Sequence, residues 1–206
     1  RHARSVRELE GRNAGDGDAR EAGKAVGLYC RFWGIRGRVL GVHEKRGQSE
    51  MTPRQRLVAK IGAGAVAMVL PVVLLYEGTV HSTYKDPINK ITACTGHTGP
   101  ELRMGQTFTK EQCETMLYGD LLKHADALNC IKTPLADNQK AAFLSFAFNV
   151  GNSAFCKSTL ARKANAGDLM GACAELSRWV MAGGRELPGL VKRRAAERQL
   201  CEKGLT

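Results

Sequence analysis

Polar and apolar positions divide the chain into three stretches of different character. Up to residue 50 no apolar period is sustained, and a run such as Glu10-Gly-Arg-Asn-Ala-Gly-Asp-Gly-Asp18 has no face to bury. Residues 51–76 then bring a basic flank, Arg54, Arg56 and Lys60, and one dense apolar run, Ile61-Gly-Ala-Gly-Ala-Val-Ala-Met-Val-Leu-Pro-Val-Val-Leu-Leu75. From residue 77 onward, helical periods alternate with turn signals. Thr109-Lys-Glu-Gln112 reads as a capping box opening a helix through Cys113, Met116, Leu117, Leu121 and Leu122. Asp137 to Val150 carries apolar residues thickly enough for a central buried helix, stopped at Gly151-Asn152. Ser158 or Thr159 starts another that ends near Asn165-Ala-Gly167, Asp168 caps one running to Trp179, and Leu190 to Cys201 forms a basic last helix. Between Thr79 and Gly99, β-branched residues, Gly and Asn predict a small β-hairpin. The class is therefore α+β and mainly helical.

The apolar run is too short to span a bilayer by itself, since a spanning helix needs about 20 residues. Counted from Leu57 to Tyr76 it reaches twenty with a single Lys. A positive flank before an apolar stretch is the outline of an export signal, yet no small-x-small cleavage site follows. The reading is an export segment that anchors weakly and stays attached; a buried first helix of the globular domain is the alternative. Residues 1–50 read as a disordered extension or translated upstream sequence, with the working protein beginning at Met51.

Composition adds charge and cysteine. Of the formal charge of +11, residues 1–50 hold +4 (11 basic minus 7 acidic) and residues 51–206 hold +7 (20 minus 13). The +7 suits an acidic cell wall and membrane surface, and no nucleic-acid motif accompanies it. Seven cysteines without a C-x-x-C pair exclude the usual zinc spacing. Cys94, Cys113, Cys130, Cys156, Cys173 and Cys201 fall in one stretch, which suits an oxidising compartment and up to three disulfides. Sequence cannot choose among the fifteen pairings; successive pairing closes the most local loops. Cys30 stands apart from this group.

The chemistry concentrates just after the apolar run. Glu77 ends it, where desolvation is expected to make a usable general acid, and Asp86 follows nine residues later in a polar turn. Two carboxylates in contrasting environments suit glycoside hydrolysis. Glu77-x8-Asp86-x5-Thr92, followed by Gly96-His97, resembles the catalytic signature of phage-type lysozymes, the endolysins of glycoside hydrolase family 24. The likeness continues through Leu-Tyr-Gly-Asp120-Leu-Leu, Ala142-Phe-Leu-Ser-Phe-Ala-Phe-Asn-Val-Gly151, Ser158-Thr-Leu-Ala-Arg162, Arg178-Trp-Val-Met-Ala-Gly-Gly184 and Gly189-Leu-Val-Lys-Arg-Arg194. It covers residues 74–203 in colinear order. The apolar segment before Glu77 resembles the signal-arrest-release anchor of a subset of these proteins.

The resemblance implies a lysozyme-like fold over 77–206, with a small β-hairpin lobe and a larger helical lobe. It implies hydrolysis of β-1,4 bonds between N-acetylmuramic acid and N-acetylglucosamine in peptidoglycan, lysing the host cell from its periplasm after tethering to the inner membrane through 57–76. Glu77 would be the general acid, Asp86 would stabilise the oxocarbenium-like transition state, and Thr92 would hold the attacking water. Asn149 would bind an N-acetyl group, and His97 would pair with Asp120. Arg194 would pair with Glu77, with Arg193 as its rival. No cofactor or nucleic acid is implied, and nothing suggests a partner subunit. Two further readings stay open: a lytic transglycosylase acting on the same bond, and a non-catalytic basic membrane-binding protein.

Overall fold

The computed structural model describes residues 50–86 and 88–205. The extension expected over 1–50 lies outside the described residues, apart from Glu50.

The basic flank is itself a helix. Thr52 caps α1 (Pro53–Ile61): its hydroxyl accepts from the Gln55 backbone N–H, and the Gln55 side chain accepts from the Thr52 N–H. Thr52-Pro-Arg-Gln55 is thus a capping box with Pro at N1, where the missing N–H costs nothing. Gly62, at φ 96°, ends α1 and begins α2 (Ala63–Glu77), and the two axes are bent by 115°. A twenty-residue span from Leu57 to Tyr76 is therefore broken after its fifth residue. Among the described residues no single helix is long and apolar enough to cross a membrane.

Here α1 and α2 are part of the core. Leu57 and Ile61 of α1 and Ala65, Val66, Val69 and Val73 of α2 are buried against Leu117, Leu121, Ala141 and Leu144. Burying a Val, Ile or Leu side chain contributes roughly 1.5–3 kcal/mol, so the five larger of these decide where the segment rests once it is in water.

The hairpin is β1 (Val80–Lys85) with β2 (Ile91–Cys94), antiparallel, with Tyr84 opposite Thr92 and an irregularity between Val80 and Tyr84. Its other edge is met by the segment after Arg103, where the Thr83 N–H donates to the Gln106 carbonyl and the Phe108 N–H to His81. The expected capping box holds: Thr109 and Gln112 satisfy each other's N–H groups at the start of α3 (Lys110–His124), which runs on into a 3-10 turn over Ala125–Cys130.

The expected central helix is α4 (Asp137–Val150), buried without a break from Ala141 to Ala147. Phe143 and Phe146 meet Phe155, Leu160 and Leu176 in the main core. Around it lie α5 (Asn152–Lys157), α6 (Thr159–Asn165), α7 (Leu169–Glu175) and α8 (Pro188–Glu202). Three details depart from expectation. A helix forms at Asn152, α7 gives way at Leu176 to a 3-10 turn, and Met181–Ala182 (β3) pairs with Arg185–Glu186 (β4) across Gly183-Gly184.

All three successive disulfides are present. Cys94–Cys113 joins β2 to α3, Cys130–Cys156 joins the 3-10 turn to α5, and Cys173–Cys201 joins α7 to α8, with Cα separations of 5.1, 5.6 and 5.6 Å.

Candidate active site

Glu77 is the last residue of α2. Gly78, at φ 69°, lets the chain leave the helix at once, and its N–H donates to the Leu74 carbonyl. The acid is thereby fixed to the rigid end of a docked helix. Its neighbour Tyr76 is tied to α8, the hydroxyl donating to the Lys192 carbonyl at 3.1 Å.

A cleft of about 400 Å³ opens beside Glu77, walled by Thr95, Gly96 and Thr98 after β2, by Asp120, Lys123 and His124 on α3, and by Phe148 and Asn149 on α4. The helical lobe and the turn that follows the hairpin thus both line it. Cys94 holds φ at 54°, in the left-handed region that few non-glycine residues adopt, and its disulfide pins the turn that delivers Thr95 to the cleft. Thr95 is also paired with Thr79 through their hydroxyls at 3.3 Å.

The Glu77 side chain is 25% exposed, and Arg193 Nη1 donates to its Oε1 at 2.5 Å. The desolvated apolar setting expected for this acid is therefore replaced by a charged one. Among the described residues Oε2 has no hydrogen-bond partner. One oxygen is held and the other is available to a ligand.

The guanidinium on Glu77 belongs to Arg193, which corrects the assignment to Arg194. The two arginines are adjacent on α8 and so point about 100° apart. Arg194, 1% exposed, donates from Nη1 to Glu197 Oε2 at 2.6 Å and from Nη2 to Asn149 Oδ1, and it lies 4.8 Å from the Phe146 ring centroid. Burial lowers Arg194 to about 10, against the opposing charge of Glu197, and burial pushes the Glu197 carboxyl up, against Arg194, Ser145 and Arg193. Glu197 and Ser145 were not singled out from sequence. The spacing of Glu197, three and four residues beyond two arginines on one helix, was the available signal.

His97 and Asp120 are paired as expected, Nδ1 to Oδ2 at 2.6 Å, and Glu101 adds an unexpected contact to Nε2, also at 2.6 Å. Carboxylates at both ring nitrogens suit an imidazolium that donates at each end. Burial pulls His97 down, but the hydrogen bonds and charges of Glu101 and Asp120 outweigh it and hold the residue above the ordinary 6.5. Lys123 donates to the other Asp120 oxygen at 2.9 Å.

Asp86 and Thr92 do not line the Glu77 cleft. Asp86 Oδ1 accepts from the backbone N–H groups of Ile88 at 2.9 Å and Lys90 at 2.8 Å, which builds the hairpin turn. Thr92, 3% exposed, donates its hydroxyl to the Lys90 carbonyl at 3.3 Å. Asn149, by contrast, is exposed and lines the cleft, its Oδ1 held by Arg194 Nη2.

Solved structures with the same fold include the muramidase domain of SpmX from Asticaccaulis excentricus, with TM-score 0.60 and 31% identity over 68% of this chain and 94% of that one. A P22 lysozyme point mutant has TM-score 0.59 and 32% identity over 66% and 93%. The fold is lysozyme-like. The Phage lysozyme family model matches residues 75–197. The SAR-endolysin of Enterobacteria phage P21 is 39% identical over 155 residues, 72% of this chain and 94% of its own; the SAR-endolysin of Bacteriophage PS119 is 38% identical over 155 residues, 72% and 93%. The chain belongs to the phage lysozyme family, in its signal-arrest-release endolysin subset, and so to the enzymes that lyse peptidoglycan.

Proposed function

We propose that the protein is a muramidase that hydrolyses the β-1,4 bond between N-acetylmuramic acid and N-acetylglucosamine and lyses the host cell. The observation that carries this reading is the Glu77 carboxyl, one oxygen clamped by Arg193 and the other open to a two-walled cleft. Glu77 Oε2 donates a proton to the glycosidic oxygen as the bond breaks. Asp86 and Thr92 lie outside this cleft, tied to their own hairpin, and act once the hairpin lobe closes on bound glycan: Asp86 then stabilises the positive charge that develops at the sugar carbon, and Thr92 holds the attacking water. Asn149 takes an N-acetyl group through its amide nitrogen. His97 with Asp120 and Glu101 stiffens the wall between the lobes.

The apolar segment fits a switch. In a bilayer, residues 57–76 tether the chain to the inner membrane on its periplasmic side, and Glu77 is held at the membrane face. Withdrawal lets Gly62 break the segment into α1 and α2, and burial of Val66, Val69 and Val73 carries Glu77 to Arg193. The enzyme then works as a monomer in the periplasm.

The lytic transglycosylase reading is favoured by one observation: among the described residues, Glu77 is the only carboxylate of its cleft that is not tied to a histidine or lysine, because Asp120 holds His97 and Lys123. Products separate the two. Purified full-length protein and Glu77→Gln are compared for clearing of peptidoglycan, and the soluble fragments are weighed by mass spectrometry. Hydrolysis gives free reducing ends from the wild type alone. Anhydro ends would replace hydrolysis by transglycosylation, and equal clearing by the two proteins would sink both.

A further inference from the structure

Glu197 is among the most enclosed charges of the described residues, 0% exposed, and it touches no ligand surface. Its Oε1 accepts from Arg193 Nε at 3.2 Å and from the Ser145 hydroxyl at 2.7 Å; its Oε2 accepts from Arg194 Nη1 at 2.6 Å. Three donors and no acceptor face it, the pattern of an ionised carboxylate. Each guanidinium it holds reaches outward with a different nitrogen. Arg193 Nη1 meets Glu77, and Arg194 Nη2 meets Asn149. Glu77 and Asn149 are residues of one cleft.

We infer that Glu197 is a positioning residue that sets, through two arginine forks, the orientation of both the acid Glu77 and the substrate-facing amide Asn149. This rests on the muramidase reading of the cleft. Stability gives little reason to bury three charges here, since apolar residues of similar volume usually do as well or better. Geometry gives a reason. A planar guanidinium binds at two edges at once, so fixing its inner edge fixes the direction of its outer edge. Arg193 is anchored further by Nη2 donating to the Ser145 carbonyl at 3.3 Å, and Arg194 by the face of Phe146. The backbone of α4 thereby supplies Asn149 and the support for Arg193 together. Binding and chemistry are adjusted from one buried carboxylate.

The test is Glu197→Asp in the full-length protein, which keeps the charge but withdraws the carboxylate by one methylene, so that it cannot reach both forks and Ser145. Turnover and KM are measured on soluble peptidoglycan fragments beside thermal unfolding, with Glu77→Gln as the reference. The expected result is a fall in kcat of about ten- to a hundredfold together with a raised KM, at an unfolding midpoint well above the assay temperature. Wild-type kcat and KM would overturn the inference. So would a lower kcat at unchanged KM in proportion to lost folded protein, the mark of a merely structural role. If Glu197→Asp is unfolded at the assay temperature, Ser145→Ala decides by the same readings, because it releases Oε1 from one donor while charge and packing stay; unchanged kcat and KM would then overturn the inference. Full activity of Glu77→Gln would instead remove the muramidase reading itself.

Discussion

The carboxylate of Asp137 occupies the space that a side chain on Gly64 would need: a Cβ built there overlaps Asp137 Oδ2, and one on Gly62 would lie 3.3 Å from Oδ1. Asp137 is the first residue of α4, and Gly64 lies in the first turn of α2. The close approach lets the start of the apolar helix sit against the start of the central helix, with the acidic group near both N-termini, where negative charge is favourable.

The Asp137 side chain is 44% exposed and can turn aside, and Ala is favoured over Gly inside a helix, so Gly64→Ala is expected to change stability by less than about 1 kcal/mol. The unfolding midpoint should shift by no more than a few degrees, with lysis close to that of the wild type. In the Asp137→Ala background Gly64→Ala should be stabilising, because no carboxylate then stands in the way of the methyl. Larger residues at Gly62 and Gly64 would also strengthen anchoring, so lysis by such a variant reports two effects at once. Gly64→Ala with and without Asp137→Ala separates them, read by unfolding of the purified protein.

His97→Gln should destabilise the protein in a pH-dependent way. Because the folded value of His97 lies above its ordinary 6.5, its contribution is fully present below 6.5 and is lost as pH rises through the folded value. Glu101 is held below its ordinary 4.5, first by its hydrogen bond to His97, so its share of the pair is lost as pH falls through that lowered value. The difference in unfolding midpoint between wild type and His97→Gln should thus be greatest between about pH 5 and 6.5 and shrink towards about pH 9. A difference that grew with pH would contradict the charged pairing.

The three disulfides close loops of 19, 26 and 28 residues, for which chain entropy predicts about 3 kcal/mol each. Replacing either Cys94–Cys113 or Cys130–Cys156 by serine pairs should lower stability to a similar degree. Only the first should also depress activity on the folded protein, since it holds the left-handed turn before Thr95. Denaturant unfolding and peptidoglycan clearing of the two double variants check this.

Arg193→Lys keeps the charge but loses the fork, so one ammonium cannot hold Glu77 and Glu197 together. Turnover should fall by about tenfold, whereas Arg194→Lys should act chiefly on KM through Asn149. Steady-state kinetics of the two variants, side by side, tests the assignment of one arginine to each cleft residue.

Much of the fold is legible in the sequence. Thr109 and Gln112, the bounds of α4 and the hairpin after Gly78 followed from capping, periodicity and β-branched residues, because each is a local signal. The pairing of His97 with Asp120 followed from likeness to the phage lysozymes. What could not be read was the choice between two adjacent arginines, since helix phase relative to a neighbour is fixed by tertiary packing. Nor could composition show that Asp86 and Thr92 spend hydrogen bonds on their own hairpin. The capping box at Thr52 is as legible as the one at Thr109 and marks α1 as a separate helix, against the continuous span that the apolar run beside it suggests.

The place of α1 and α2 in the core bears on the proposed release from the membrane. A leader peptide is discarded after use, but here trimming at the membrane boundary would take away Leu57, Ile61, Val66, Val69 and Val73, one whole wall of the interior, along with the helix that carries Glu77. Proteolysis at that point would yield a fragment with an open side. On the membrane release proposed for residues 57–76, only a chain that leaves the lipid intact can complete its own interior, and the former tether would become a structural member of the folded protein.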